Sequence, residues 1–199
     1  MRLRIDDFPV ANQKYVDIDH IFVLNKIADI IDSPFLIGVV PISVSKKMVI
    51  EISKIAKIAV HGVTHYRGYL DSLCKDKNFG TKVLKNIRYF LKTEIFIPPF
   101  NWIPKGFPEL LLTSGYKTLC IAKRKDGSVV GNIKKFPINL KIFTTVYSST
   151  YFTDVFNTSF DLLRGDCITL HYIDILNNME AFKNLIIRIK EKYPIFEVW

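Results

Sequence analysis

The sequence predicts an α/β protein with parallel strands, closed into an incomplete or distorted barrel of about seven strands. Three observations predict it. Short apolar runs alternate with stretches of helical period along the 199 residues. Proline and glycine punctuate the joints between them. The strand count is too high for a small ferredoxin-like fold and low enough for a barrel that does not close regularly.

The elements follow in order. MRLRI reads as a strand ending at Asp6, and residues 20–31 carry Leu24, Ile27, Ala28 and Ile31 at helical spacing. PFLIGVV is a buried strand bounded by prolines. Ser45 is placed to cap a helix whose inner face is Met48, Val49, Ile52, Ile55 and Ala56. KIAV is the next strand, ending at His61, and a polar loop follows it. An amphipathic helix then presents Phe79, Val83, Leu84, Ile87, Phe90 and Leu91 on one side. EIFI is a strand stopped by Pro98 and Pro99, PELLLTSG a short helix ended by Gly115, and YKTLCIA a further strand. KDGS signals a turn, INLKIFTTVY a long strand, and residues 154–164 a helix closed by Gly165. CITLHYI is the last strand, and Asn177 or Asn178 opens a final helix with Phe182, Leu185, Ile186 and Ile189 inward.

Bulk composition narrows the class. Hydrophobic residues make up 49% and aromatics 13%, enough for a substantial core and against disorder. One domain over residues 1–199 is expected. No apolar run approaches the ~20 residues that cross a bilayer. Acidic residues already at position 6 argue against a signal peptide, so a cytoplasmic location, at most peripheral to a membrane, is expected. The three cysteines, Cys74, Cys120 and Cys167, form no CxxC pair and read as buried free thiols. A net charge of +9 favours anionic partners such as acidic glycans or an anionic lipid surface. No feature singles out nucleic acid.

In α/β folds the chemistry gathers where strands end at their carboxyl side. That rule collects Asp6 and Asp7 from RIDDFP, His61, the PPFN segment and His171 at one predicted mouth. HGVTH sets His61 and His65 four apart, which on a helical turn brings two imidazoles to one ion. Two imidazoles and one carboxylate suit a divalent transition metal, with positions left for water and substrate. Either Asp6 or Asp7 can be the third ligand. The other then stands beside the ion as a charged proton acceptor, and the cation offsets the repulsion between the pair.

RIDDFP, HGVTH, FIPPFNW and TLHYI together resemble, in order and spacing, the polysaccharide deacetylases, the NodB-homology group of carbohydrate esterases (family 4). The resemblance runs from residue 4 to about residue 173. It implies an irregular (β/α) barrel and a metal-dependent hydrolase that removes acetyl from an N-acetylated sugar. It further implies Asp6 as general base, Asp7, His61 and His65 as metal ligands, and His171 as the acid that protonates the leaving amine. The PPF segment implies a backbone N–H at Phe100 that helps hold the oxyanion. Zinc is the expected ion, with cobalt, nickel or iron as alternatives.

Several positions depart from that pattern. Phe8 and Pro9 replace the usual glycine after the aspartate pair, Ile97 stands where an arginine usually orients the catalytic aspartate, and Phe100 replaces a common tyrosine. The further Asp–Trp motif has no clear counterpart, leaving Asp174, Asp166 and Asp154 as candidates to tune His171. Trp102 either stacks on a sugar face or packs its loop, and Asn101 either bonds a sugar hydroxyl or serves the turn. The expected substrate is a precursor in surface-polysaccharide or lipopolysaccharide synthesis. An O-acetyl esterase using the same site, or a non-catalytic basic domain that binds glycan or nucleic acid, are the competing readings.

Overall fold

A computed structural model describes residues 2–9, 18–123, 137–146 and 167–199. Seven strands form a closed barrel in sequence order: β1 (Arg2–Phe8), β2 (Leu36–Val39), β3 (Lys57–His61), β4 (Ile95–Ile97), β5 (Thr118–Lys123), β6 (Lys141–Val146) and β7 (Cys167–His171). Every neighbouring pair is parallel, and β7 returns to pair with β1. The described helices are α1 (His20–Ile31), α2 (Lys46–Ile55), α3 (Arg67–Lys75), α4 (Lys77–Leu91), α5 (Phe107–Thr113), α6 (Tyr172–Asn177) and α7 (Met179–Lys192). None of them is long and apolar enough to cross a membrane. The barrel and its parallel strands agree with the expected architecture.

Alternation along each strand creates two separate cores. Leu3 and Ile5 of β1, Ile37 and Val39 of β2 and Ile58 and Val60 of β3 join one buried cluster with Leu24, Ile27 and Leu84 of the helices. The intervening residues Leu36, Ala59, Ile95, Ile97 and Cys120 form a second cluster that fills the lumen, with Trp199 packed against it. The Trp199 indole donates to the Leu3 carbonyl at 3.0 Å. Cys120 and Cys167 are buried free thiols, as expected, whereas Cys74 is only partly buried. Burial pushes the Cys120 thiol up to about 12 and Cys74 up to about 11.

Helix starts follow local chemistry. Ser45 accepts from the Met48 N–H, and Asn178 from the Ala181 N–H. Asp19 caps α1 by accepting from Ile21 and Phe22. Three expectations need correction. The polar loop after HGVTH contains a helix, α3, which buries Leu70 and Leu73. On α4 the buried residues are Gly80, Leu84 and Leu91, while Phe79 and Phe90 are exposed, because α3 packs against the Gly80 side. A Cβ at Gly80 would run into the Leu73 carbonyl, so the glycine is what lets the two helices close. The last strand ends at His171, where α6 begins at Tyr172. The KDGS turn and the helix over 154–164 lie outside the described residues.

Candidate metal centre

A regular strand sends adjacent side chains to opposite faces, so Asp6 and Asp7 ought to diverge. Asp6 shares the lumen face with Arg4, and Asp7 would point at the helices. The register between β1 and β2 shifts between Ile5 and Phe8, and Asp7 lies at φ 65°, in the left-handed region that aspartate tolerates better than most residues. The irregularity brings the Asp7 carboxylate to the mouth of the barrel. There its Oδ1 sits 2.7 Å from His61 Nε2 and 2.9 Å from His65 Nε2.

The two imidazoles arrive differently. His61 is the last residue of β3 and is buried. Its Nδ1 lies 3.3 Å from the Ile97 carbonyl, which can only accept, so Nδ1 carries a proton and Nε2 is aimed at Asp7. His65 sits on a bend rather than on a helical turn, correcting the expectation for HGVTH. Gly62 makes that bend at φ 72°, against Pro99, where a side chain would collide. The His61 and His65 ring centroids are 5.2 Å apart.

Asp7, His61 and His65 form a group whose three ligand atoms all lie within 4.8 Å of one another. Ligands ~2.0–2.2 Å from a tetrahedral ion stand about 3.4 Å apart, so a small opening of the trio seats a divalent cation. The donor set, one carboxylate and two imidazoles with a carbonyl behind one of them, fits zinc or a similar ion. Burial would raise the Asp7 carboxyl, but the hydrogen bonds from both histidines hold it far below the usual carboxylate range. Burial likewise opposes charge on His61, yet Asp6 and Asp7 outweigh it and raise its pKa.

This pairing predicts a sign for the metal-free protein. The His61 contribution is complete below its ordinary value of 6.5 and is lost as pH rises through the raised value. The Asp7 contribution is complete above 3.8 and lost as pH falls through its depressed value. In chelator-stripped protein, the destabilisation caused by His61→Gln should therefore shrink as pH climbs from about 6.5 in urea titrations. A destabilisation that grows with pH contradicts the pairing.

Asp6 is buried, and its Oδ2 takes a 2.6 Å ion pair from Arg4 Nη2. Its Oδ1 has no hydrogen-bond partner among the described residues. Gly38 walls this oxygen: a Cβ there would stand 3.0 Å from Asp6 Oδ1 and 3.3 Å from His61 Cβ. His171 is the register partner of Asp6 across the β1–β7 pair, so the two side chains rise from adjacent strands at the same level. Asp174 Oδ2 lies 3.9 Å from His171 Nδ1, beyond hydrogen-bond distance. Burial raises the Asp174 carboxyl, which His171 opposes and Asp7 reinforces. Asp166 and Asp154 lie outside the described residues.

The loop after β4 forms the remaining wall. Phe100 and Asn101 both adopt positive φ, 55° and 54°, in a single turn over Pro99–Asn101. The exposed Phe100 ring lies 4.5 Å from the His65 ring. The Asn101 N–H donates to the Pro98 carbonyl at 3.1 Å, and its side chain is half-buried. The Trp102 indole donates to Asp71 Oδ2 at 3.0 Å, which ties this loop to α3. His20 Nδ1 lies 3.0 Å from the Tyr172 hydroxyl, and its ring is edge-on to Phe8. Sequence reasoning missed Arg4 and Gly38. The signal for Arg4 was present: RLRID alternates, which puts Arg2, Arg4 and Asp6 on one face.

No protein-family model matches the chain. No curated protein matches it either. Solved structures do. A protein from Mycobacterium smegmatis assigned to the polysaccharide deacetylases superposes with a TM-score of 0.66 at 14% identity, covering 99% of this chain and 85% of the other. A peptidoglycan N-acetylglucosamine deacetylase gives 0.57 at 14% identity, covering 99% and 84%. A family 4 carbohydrate esterase from Streptomyces lividans, in complex with acetate, gives 0.51 at 12% identity, covering 99% and 90%. Identities this low establish the fold alone, and the fold of this chain is the barrel of the polysaccharide deacetylases.

Proposed function

We propose that this chain is a metal-dependent hydrolase that removes acetyl from an N-acetylated sugar, acting as a single-domain, divergent polysaccharide deacetylase. One observation carries the reading. A three-atom ligand set stands at the mouth of the barrel beside two acid–base groups that it does not use, Asp6 and His171. Structural binding of an ion would need the ligands but not the spare pair.

Asp7, His61 and His65 hold the ion in this reading, with zinc favoured and cobalt, nickel or iron as alternatives. Such an ion polarises the acetyl carbonyl and lowers the pKa of a water. Asp6 accepts the proton of the attacking water. His171, on the neighbouring strand, delivers a proton to the nitrogen as the C–N bond breaks. The Phe100 backbone N–H is the donor to the oxyanion, in the left-handed turn that follows Pro98 and Pro99. Asn101 stays the candidate to bond a sugar hydroxyl beside that turn, and Trp102, whose indole nitrogen is held by Asp71, can offer a sugar only its ring face. The net charge of +9 favours an acetylated sugar carried on an anionic glycan or on a lipid-linked precursor at an anionic surface.

The decisive experiment strips the purified protein with a chelator, restores zinc, cobalt or nickel, and measures acetate release from a panel of N-acetylated and O-acetylated saccharides. Metal-dependent release from an N-acetyl substrate is expected. Protein that holds no divalent ion near stoichiometry and releases no acetate with any of them refutes the reading.

The role of His171 makes a separate prediction. An amide nitrogen must be protonated as it leaves, whereas a nitrophenolate leaves without a proton. His171→Ala should slow acetamide hydrolysis by about 10²-fold or more and leave 4-nitrophenyl acetate hydrolysis within a few-fold. Equal losses on both substrates would remove His171 from the acid role.

A further inference from the structure

The lumen contains a guanidinium that packing does not require. Arg4 is 2% exposed, on a strand whose lumen neighbours Leu36, Ala59, Ile95, Ile97 and Cys120 are apolar or nearly so. Replacing a buried ion pair by hydrophobic side chains of similar volume is often neutral or stabilising, so a barrel that needed only a filled lumen gains little from this one. Among the described residues, Asp6 is the group to which Arg4 is ion-paired. Its Nε and Nη1 find no hydrogen-bond partner there, and neither does Thr169 Oγ1 on the adjacent strand, the register partner of Arg4. Burial opposes the charge on Arg4, and Asp6 together with the neighbouring Cys120 and Cys167 outweighs it, so the guanidinium stays charged.

The geometry of the pair divides the two oxygens of Asp6. Arg4 and Asp6 are two apart on one strand, so both side chains share the lumen face and the hold comes from below. It engages Oδ2 alone, at 2.6 Å. Oδ1 is left against Gly38 and His61, and the absence of a Cβ at position 38 keeps that space clear. From the opposite wall the Ile97 side chain reaches the same Gly38 space and brings no donor.

We propose that Arg4 is the positioning residue for Asp6: it fixes one carboxylate oxygen from inside the barrel and presents the other to the reacting water. This rests on the reading of Asp6 as the general base. Arg4 itself touches no substrate. Gly38 serves the same end by leaving room for the presented oxygen.

The test uses Arg4→Met, Arg4→Lys, Asp6→Asn and the double variant Arg4→Met/Asp6→Asn in the full chain. Arg4→Met should lower kcat for acetate release by about 10²-fold, the cost of a reacting group displaced by about 1 Å, with KM and bound zinc near wild type. Arg4→Lys, which keeps the charge, should recover part of that loss. A kcat for Arg4→Met within twofold of wild type overturns the proposal, as does a loss confined to KM. Urea unfolding of wild type, Arg4→Met, Asp6→Asn and Arg4→Met/Asp6→Asn forms a double-mutant cycle. A coupling of at least about tenfold in the unfolding equilibrium constant is expected, and additive effects overturn the proposal. If Arg4→Met is too unstable to assay, the charge-free double variant should fold and be the more stable of the two; a double variant no more stable than Arg4→Met counts against the pair. Should wild type release no acetate from any substrate, the deacetylase reading falls, while the cycle still decides whether Arg4 holds Asp6.

Discussion

Asp6→Asn should keep its metal and lose its turnover. The substitution preserves the shape of the side chain and removes the site that accepts a proton, and general-base contributions are typically 10²–10⁴-fold in rate. The expected kcat for acetate release therefore falls by about 10²–10⁴-fold. Zinc content should stay near one per chain, because Asp6 points into the lumen toward Arg4 while Asp7 makes the contacts to both imidazoles. Metal analysis and steady-state kinetics on one preparation check both halves. If zinc is lost along with activity, Asp6 is a ligand and the division of labour between the two aspartates is wrong. If kcat is unchanged, another group is the base. Stability supplies an internal control. An uncharged amide in place of the Asp6 carboxylate leaves the buried Arg4 without its counter-charge, so some loss of unfolding free energy must accompany the kinetic effect.

His61→Ala should do the reverse and lose the metal first. Removing a group that merely hydrogen-bonds to a ligand costs about 10–100-fold in metal affinity, so deleting a ligand should cost more than that. His61 is the deepest member of the trio, held by the Ile97 carbonyl, and no other described imidazole sits close enough to replace it. Zinc titration of the stripped variant should show affinity weakened by more than about 10²-fold, and acetate release at ordinary zinc concentrations should be undetectable. Excess zinc should restore part of the activity, because Asp6 and His171 remain in place. Retention of tight zinc binding would mean that the ion sits elsewhere. Asp6→Asn and His61→Ala thus separate chemistry from metal binding at positions that meet at one mouth.

Much of the fold was legible because its signals are local. Ser45 and Asn178 announced the starts of α2 and α7 by side-chain chemistry alone, and the inward face Phe182, Leu185, Ile186 and Ile189 followed from period. The α3 helix was missed because its core-facing stripe, Tyr69, Leu70, Leu73 and Cys74, spans less than two turns within a polar stretch. Phe79 and Phe90 misled for the opposite cause: they carry a helical period but lie beyond the stripe that α3 and the barrel cover. Within the candidate site, His61 and His65 stood out as two of only four histidines, set four apart, whereas the residues alone left the carboxylate open between Asp6 and Asp7 and the family resemblance pointed to Asp7. Their geometry was not legible. The left-handed turn at Asp7 and the bend at Gly62 are set by contacts with β2 and Pro99, which are remote in sequence. Arg4 was hidden in plain view inside a strand that reads as apolar unless its alternation is followed into the lumen.

The closure of β7 onto β1 also gives the molecule a timetable. Asp7, His61 and His65 belong to the first three strands and the bend after them, while His171 stands on the last, beside Asp6. On a ribosome, where a chain emerges at about 5–20 residues each second, the proposed ligands Asp7, His61 and His65 are therefore synthesised well before His171. Joining the two ends requires the ring to shut across the widest sequence separation in the barrel, the kind of contact that forms late and slowly. On the proposed roles, Asp6 gains its neighbour His171 only when β7 has closed onto β1, so acetyl release depends on the last joint of the ring.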